Sequence, residues 1–321
     1  MLDVRRLRLL RDLARLGTIA AVAQAHAYTP SAVSQQLTVL EREAGVPLLT
    51  RTGRRVALTA AATALVRHAD EVLAALERAD AALAAARTAV SGVLRVGAYP
   101  SAARTLLPAA LVALARDHPA LDLEVTELDP VAVPDALRER RLDLALVHDY
   151  DVVPAEPDRT LDVEPLLAET VYLAVPGDDR SAPPVPPGRS VPPGRSVPPG
   201  GSAPQADPLA ATRDAGWIVG TAGTLCHTVA LHACRAAGFG PRIRHHADDF
   251  GTVLALVAAG QGVSLVPRLA AGQPPAGVRL IPLALRRRTW MAYRRGGAAH
   301  PAVAAGAAAI RSAAEPYRID G

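Results

Sequence analysis

Leucine spacing opens the chain as a helix. In residues 3–16, Leu7, Leu10 and Leu13 share one side at a period of about 3.6 residues, and arginines take the other. Thr18 can cap a shorter apolar run, IAAVAQAH, and only Ala27 and Tyr28 separate it from a second helix over Thr29–Gly45. There Thr29 suits the cap and Pro30 the first turn, where a missing N–H costs nothing. Val33, Leu37, Leu40 and Ala44 fall on one stripe, and Ser31, Ser34, Gln35, Thr38 and Arg42 on the other, with no acid among them. Such a helix is anchored by one face and offers short hydrogen-bonding side chains on the other, as reading base edges in a major groove requires.

Gly45 and Pro47 end that helix. LLTRTGRRVALT then reads as a hairpin about Thr-Gly, with Arg51, Arg54 and Arg55 at its tip, where phosphates or a minor groove would be met. Helix, turn, helix and basic hairpin together predict a winged helix-turn-helix over 1–59. Residues 60–90 follow as a long linker helix and its end. Ala62, Leu65, Ala69, Val72, Leu76, Ala79, Leu83 and Ala86 recur at a mean of about 3.5 residues, the period of a coiled-coil seam and so of a dimerisation arm.

After Ser91-Gly92 the rhythm changes. VLRVGAY, LDLEVTEL and LDLALVHD read as strands, with helices over 101–117 and VPDALRER between them. TVYLAVP opens a second run: WIVG, IRHHAD and VSLVP as strands, 224–237 and 250–259 as helices. VRLIPL and TWMAYRR return as two strands and 301–315 as a closing helix. This alternation predicts two α/β lobes with parallel strands. A tract from Val185 to Ser202 repeats VPPGRS twice and then VPPGGS. Its Pro/Gly content predicts an extended loop inserted in the second lobe over about 181–206.

Charge sharpens the picture. All 35 basic residues are arginine, and nine of them face four acids in residues 1–60; the other 26 face 27 acids. The positive excess sits with the helix-turn-helix, where nucleic acid would require it. Two cysteines make no disulfide framework, and the charged N-terminus, MLDVRRLRLLRDL, is unlike a signal peptide. No apolar run reaches a membrane span, so a cytoplasmic protein without membrane contact is expected. GxSxG, HExxH, phosphate-loop and dinucleotide fingerprints are missing, so neither catalysis nor a cofactor is expected. Cys226-His227 and His232-x-Cys234 do not place four ligands on one helix face, so no metal is expected either.

The strings AVAQAHAYTPSAVSQQLTVLEREAGVPLLTRTGRRVALTAAA and GQGVSLVP, in this order of parts, resemble LysR-type transcriptional regulators. The resemblance implies an N-terminal all-α winged helix-turn-helix with a linker helix, and a C-terminal α/β effector domain of two lobes like periplasmic binding proteins. It divides the latter into lobe I (91–163 and 268–321) and lobe II (164–267), with crossings near Leu161–Leu167 and Val266–Leu269. It also implies a homodimer or homotetramer on inverted-repeat double-stranded DNA, and a small-molecule effector held between the lobes. DNA contacts would come from Thr29, Pro30, Ser31, Ser34, Gln35, Arg51, Arg54 and Arg55. Effector contacts would come from Tyr99, Pro100 and Ser101, from His148, from Gly220 and Thr221, and from Asp249. A helix start at Ser101 favours an anion, hence a small carboxylate. Some regulators of this type use two cysteines of lobe II to sense peroxide. Cys226 and Cys234, eight residues apart on one expected helix, are about 12 Å apart along its axis, too far for a disulfide unless the helix unwinds. The alternatives are a small-molecule-binding α/β protein or an enzyme without a regulatory role.

Overall fold

The computed structural model describes residues 1–52, 55–87, 89–177 and 207–318. The VPPGRS repeats and the rest of the 181–206 insertion lie outside them.

The head is built from local signals. Helix α1 (Val4–Leu16) is capped by Asp3, whose carboxylate accepts from the Arg5 and Arg6 amides, and ends at Gly17. Thr18 caps α2 (Ile19–Ala25), and Thr29 caps α3 (Pro30–Ala44), which stops at Gly45 in the left-handed region. Strands β1 (Leu49–Thr52) and β2 (Arg55–Leu58) pair antiparallel as the wing, and Thr59 caps α4 (Ala60–Ala85). Leu7, Leu10, Leu13, Val22, Val33, Leu37, Leu40 and Leu48 form the head's core. Ala62 and Ala69 of α4 close that core, with Leu65 partly buried beside them. Of the expected seam, the first turns pack on their own domain, while Val72, Leu76, Ala79, Leu83 and Ala86 stand exposed.

Beyond the linker come β3 (Gly92–Ala98), α5 (Pro100–Thr105), α6 (Leu107–Asp117), β4 (Leu121–Glu127), α7 (Val133–Arg138) and β5 (Leu144–Tyr150). The single helix expected over 101–117 is broken at Leu106, because Pro108 has no N–H to give and its ring crowds the preceding turn. The long β6 (Leu161–Pro176) leads to β7 (Gly216–Val219), α8 (Leu225–Ala236), β8 (Arg242–His246), α9 (Phe250–Ala258), β9 (Ser264–Pro267) and α10 (Arg268–Ala271). The chain closes with β10 (Val278–Arg294) and α11 (Pro301–Ala314).

One sheet of order β4-β3-β5-β10-β6-β9 runs through both lobes, and β7 and β8 form a parallel pair beside it. Two expectations are corrected here. The strands are not all parallel: β3 runs parallel to β4 and β5, but β10 is antiparallel to β5 and β6, and β6 to β9. The two return strands are one, β10, with register shifts at Pro282/Arg286 and Thr289/Trp290 that let it bend between lobes. The crossings move accordingly. On β6, Leu166 and Leu167 belong to the first core and Val171 to the second; on β10, Leu285 belongs to the second and Met291 to the first. Leu269 still packs in the first core, while Val278 and Leu280 pack with lobe II, so the return lies near 285–291 and not at 268. The Gly of GQGVSLVP has a spatial reason: a Cβ on Gly262 (φ +155°) would lie 2.4 Å from the Gly216 carbonyl oxygen.

Candidate DNA interface and effector cleft

On α3, Val33, Leu37 and Leu40 are buried, while Thr29, Pro30, Ser31 and Gln35 are exposed and Ser34 is half-buried. The Thr29 hydroxyl accepts from the Ala32 amide at 3.2 Å, so the helix start carries a fixed side chain and free exposed neighbours. The rest of the helix is tied down. Arg6 donates from Nε to Gln36 Oε1 at 2.9 Å and pairs with Glu43, and Glu41 Oε1 accepts from the Leu48 and Leu49 amides, both at 2.9 Å. Glu41 thereby sets the start of the wing relative to the helix. The sequence reading did not single it out, since a lone acid seven residues from its partner leaves no local pattern. The wing strands pair from Leu49↔Leu58 to Thr52↔Arg55. Gly53 and Arg54, and the side chains of Arg51 and Arg55, lie outside the described residues.

In the effector domain the expected residues separate into two groups. Tyr99, Ser101 and His148 converge in a buried cluster around Arg287, which the sequence reading missed. Arg287 and Glu169 face each other across β10 and β6, their side chains each 1 % exposed. Arg287 donates from Nε to Glu169 Oε1 at 2.7 Å and from Nη2 to Ser101 Oγ at 3.0 Å, and its guanidinium lies 4.8 Å from the centre of the Tyr99 ring. Glu169 Oε2 accepts from the Leu269 amide at 2.5 Å, and the Tyr99 hydroxyl bonds Thr289 Oγ1 at 2.6 Å. Pro100 starts α5 and orients this turn.

His148 lies edge-on between Tyr99 and Tyr150, with ring centres 4.6 and 5.6 Å away. Its Nδ1 is buried with no partner. Burial first, and the Arg287 charge second, hold its pKa well below the ordinary value, so the ring is neutral. Burial lifts the Tyr99 hydroxyl to about 12. For Arg287 burial opposes the charge, but the Glu169 carboxylate outweighs it and the guanidinium stays protonated. From lobe II, Cys226 on α8 brings its sulfur 3.6 Å from the Tyr150 hydroxyl. Burial raises that thiol's pKa, while the Tyr150 hydrogen bond and Arg287 pull it down.

The other group sits apart. The Gly220 carbonyl accepts from the Nδ1 atoms of His227 (2.9 Å) and His246 (3.2 Å), and Thr221 bonds Asp248 through its amide and hydroxyl. Asp249 caps α9 and lies 3.9 Å from Arg104 of α5, an exposed contact between the lobes. Hydrogen bonds from the Thr252 amide lower its pKa. Among the described residues no three His, Cys, Asp or Glu side chains are grouped to hold a metal ion, and no helix is long and apolar enough to cross a membrane.

Comparisons with known proteins place both halves. Residues 4–63 match the model of the bacterial regulatory helix-turn-helix protein, lysR family, and residues 87–315 match the LysR substrate binding domain. A probable hydrogen peroxide-inducible genes activator of Streptomyces viridosporus is 31% identical, over 96% of this chain and 96% of its own length. The transcriptional dual regulator GltC of Bacillus subtilis is 25% identical, covering 83% of this chain and 81% of its own. In fold, the chain is similar to the Corynebacterium glutamicum OxyR C206 mutant, with a TM-score of 0.56, 23% identity, and 98% of this chain and 92% of that one covered.

Proposed function

Because the chain belongs to the LysR family of bacterial helix-turn-helix regulators, we propose that it binds promoter DNA through the start of α3 and the wing, and that its effector acts on the Arg287 cluster between the lobes. It is a DNA-binding transcriptional regulator with an effector-binding domain, and not an enzyme. It works as a homodimer or homotetramer on inverted repeats, in the cytoplasm where such DNA is found. Thr29, Pro30, Ser31, Ser34 and Gln35 reach base edges and the nearest phosphates, and Arg51, Arg54 and Arg55 neutralise phosphates beside them.

The observation that carries the effector site is the orphaned Nδ1 of His148 beside a buried guanidinium. A buried polar atom without a partner is costly, so a ligand supplying one gains twice. A small carboxylate meets both needs, accepting from the His148 ring and from the Ser101 hydroxyl, whose oxygen in turn accepts from Arg287. Gly220, Thr221 and Asp249 then act at the mouth of the cleft and not at its floor. Ser101→Ala is expected to weaken the response to a carboxylate inducer while leaving effector-free DNA binding intact. Footprints with a panel of small carboxylates test this, and an unaltered response would remove Ser101 from the site.

A second reading rests on Cys226 beside Tyr150, and on relatives named as peroxide-inducible gene activators. In it the Cys226 sulfur attacks one peroxide oxygen, the O–O bond breaks, the other oxygen leaves as water, and a sulfenic acid remains. Footprints with hydrogen peroxide on the native chain and on Cys226→Ser separate the two readings.

A further inference from the structure

Helix α3 has two flanks beside its exposed face. At about 100° per residue from Gln35, Ser34 and Glu41 fall on one flank and Ala32, Gln36 and Glu43 on the other. The first flank lies next to the wing, since Glu41 Oε1 accepts from the Leu48 and Leu49 amides. The second lies next to the start of α1, where Arg6 bonds Gln36 and pairs with Glu43.

An open groove of about 600 Å³ runs along that second flank. Arg5, Arg6 and Arg8 line it from α1, His26 and Tyr28 from the turn after α2, and Gln36 from α3. Asp3 is the one acid on its wall among the described residues, and its Oδ1 is already held by the Arg5 and Arg6 amides. His26 bonds Asp12 through Nε2 at 2.8 Å and lies beside the Tyr28 ring, centres 6.2 Å apart, so Tyr28 is supported while 52 % exposed. Arg5 is exposed and Arg8 half-buried, and neither guanidinium is paired with a carboxylate among the described residues. Burial first, then the charges of Arg140 and Arg11, lower the pKa of Arg8. That guanidinium therefore gains from any anion brought to it.

We infer that this groove takes the phosphate backbone of the DNA strand running on the far side of α3 from the wing. A helix lying in a major groove has a sugar–phosphate chain along each flank. The wing stands on one side, and Arg5 and Arg8 stand on the other, with the Tyr28 hydroxyl as a further donor. Contacts of this kind fix the register of α3 without reading sequence, and holding both flanks keeps the helix from rolling about its axis. An acidic protein segment would suit the same charge. The groove adjoins the acid-free exposed face of α3, and that continuity favours DNA. The inference rests on the DNA-binding reading above and adds a second backbone contact to it.

The test uses the full chain and a duplex that it selects from a random pool, with single phosphates replaced in turn by neutral methylphosphonates. Affinities are read by fluorescence anisotropy at several salt concentrations. Arg5→Ala and Arg8→Gln are each expected to flatten the salt dependence by about one unit. They are also expected to abolish the methylphosphonate penalty at positions where Arg54→Ala leaves it in place. Tyr28→Phe is expected to shrink the penalty there without changing the salt slope. If Arg54→Ala and Gln35→Ala alter binding while Arg5→Ala and Arg8→Gln change neither slope nor penalty, the groove is no DNA contact, though the DNA-binding reading stands. Transcription lost in those two variants with DNA binding unchanged would give the groove to an acidic protein instead. A native chain that selects no duplex would overturn the DNA-binding reading and the groove together.

Discussion

Arg287 and Glu169 are register partners on the two strands that cross between the lobes, bonded at 2.7 Å and sealed from solvent. The pair sits at the hinge itself, with Ser101 of lobe I on one side and Cys226 of lobe II nearby.

This placement makes the pair a stability element that fails when halved. Glu169→Gln leaves a buried guanidinium without its counter-charge, and a loss of about 3–5 kcal/mol is expected. Glu169→Leu with Arg287→Met removes both charges, and the double change is expected to cost less than the sum of the single ones. Urea unfolding of the native chain, Glu169→Gln, Glu169→Leu, Arg287→Met and the double variant checks it; simple additivity would show that the two charges do not support each other.

The wing and the reading helix are expected to fail differently on DNA. Arg54→Ala or Arg55→Ala lowers affinity for all sequences and flattens the salt dependence by about one unit per contact. Gln35→Ala relaxes preference at particular bases, by about 1–3 kcal/mol per good contact. Binding isotherms on matched and scrambled sites at several salt concentrations distinguish them, and arginine variants with an unchanged salt slope would reassign the wing.

His148 supplies a pH signature. Its folded pKa lies below its unfolded value of about 6.5, so the unfolded chain takes up the proton first. Stability therefore falls as pH drops below about 6.5, by at most about 1.4 kcal/mol per pH unit from this group. Melting temperatures of the native chain and His148→Gln between pH 7 and 5 are expected to converge as the pH is lowered; parallel curves would mean that the ring titrates alike in the folded and unfolded chains.

The two cysteines are expected to differ in reactivity. Cys234 is fully buried and burial alone pushes its thiol to about 12, whereas Cys226 is partly exposed beside a hydroxyl and within the field of Arg287. Iodoacetamide is expected to modify Cys226 many times faster, with a rate that climbs as pH rises above 8. Both sit on α8, so no disulfide joins them while that helix holds, and Cys234→Ser leaves any peroxide response in place. An oxidant response lost in Cys234→Ser alone would show that α8 unwinds.

Local order was legible in the chain because it is set by neighbours three or four residues apart. Thr29, Pro30 and Gly45 bound the reading helix, and Val33, Leu37 and Leu40 anchor it, as their spacing requires. The seam along α4 was legible only as a period. Whether Ala62 and Ala69 meet another chain or their own domain depends on where α1 lies, and no spacing within α4 encodes that.

The effector cluster belongs to the fold. Arg287 meets Ser101 from 186 positions away and Glu169 from 118, and only the antiparallel pairing of β6 with β10 brings them together. One trace existed: Leu285, Arg287, Thr289, Met291 and Tyr293 alternate into the core, so an arginine stands where the strand's period demands an apolar residue. Periodicity can mark that charge as inward-facing. It cannot name the carboxylate opposite, because strand order and register are decided by which apolar faces bury one another, a property of the whole domain.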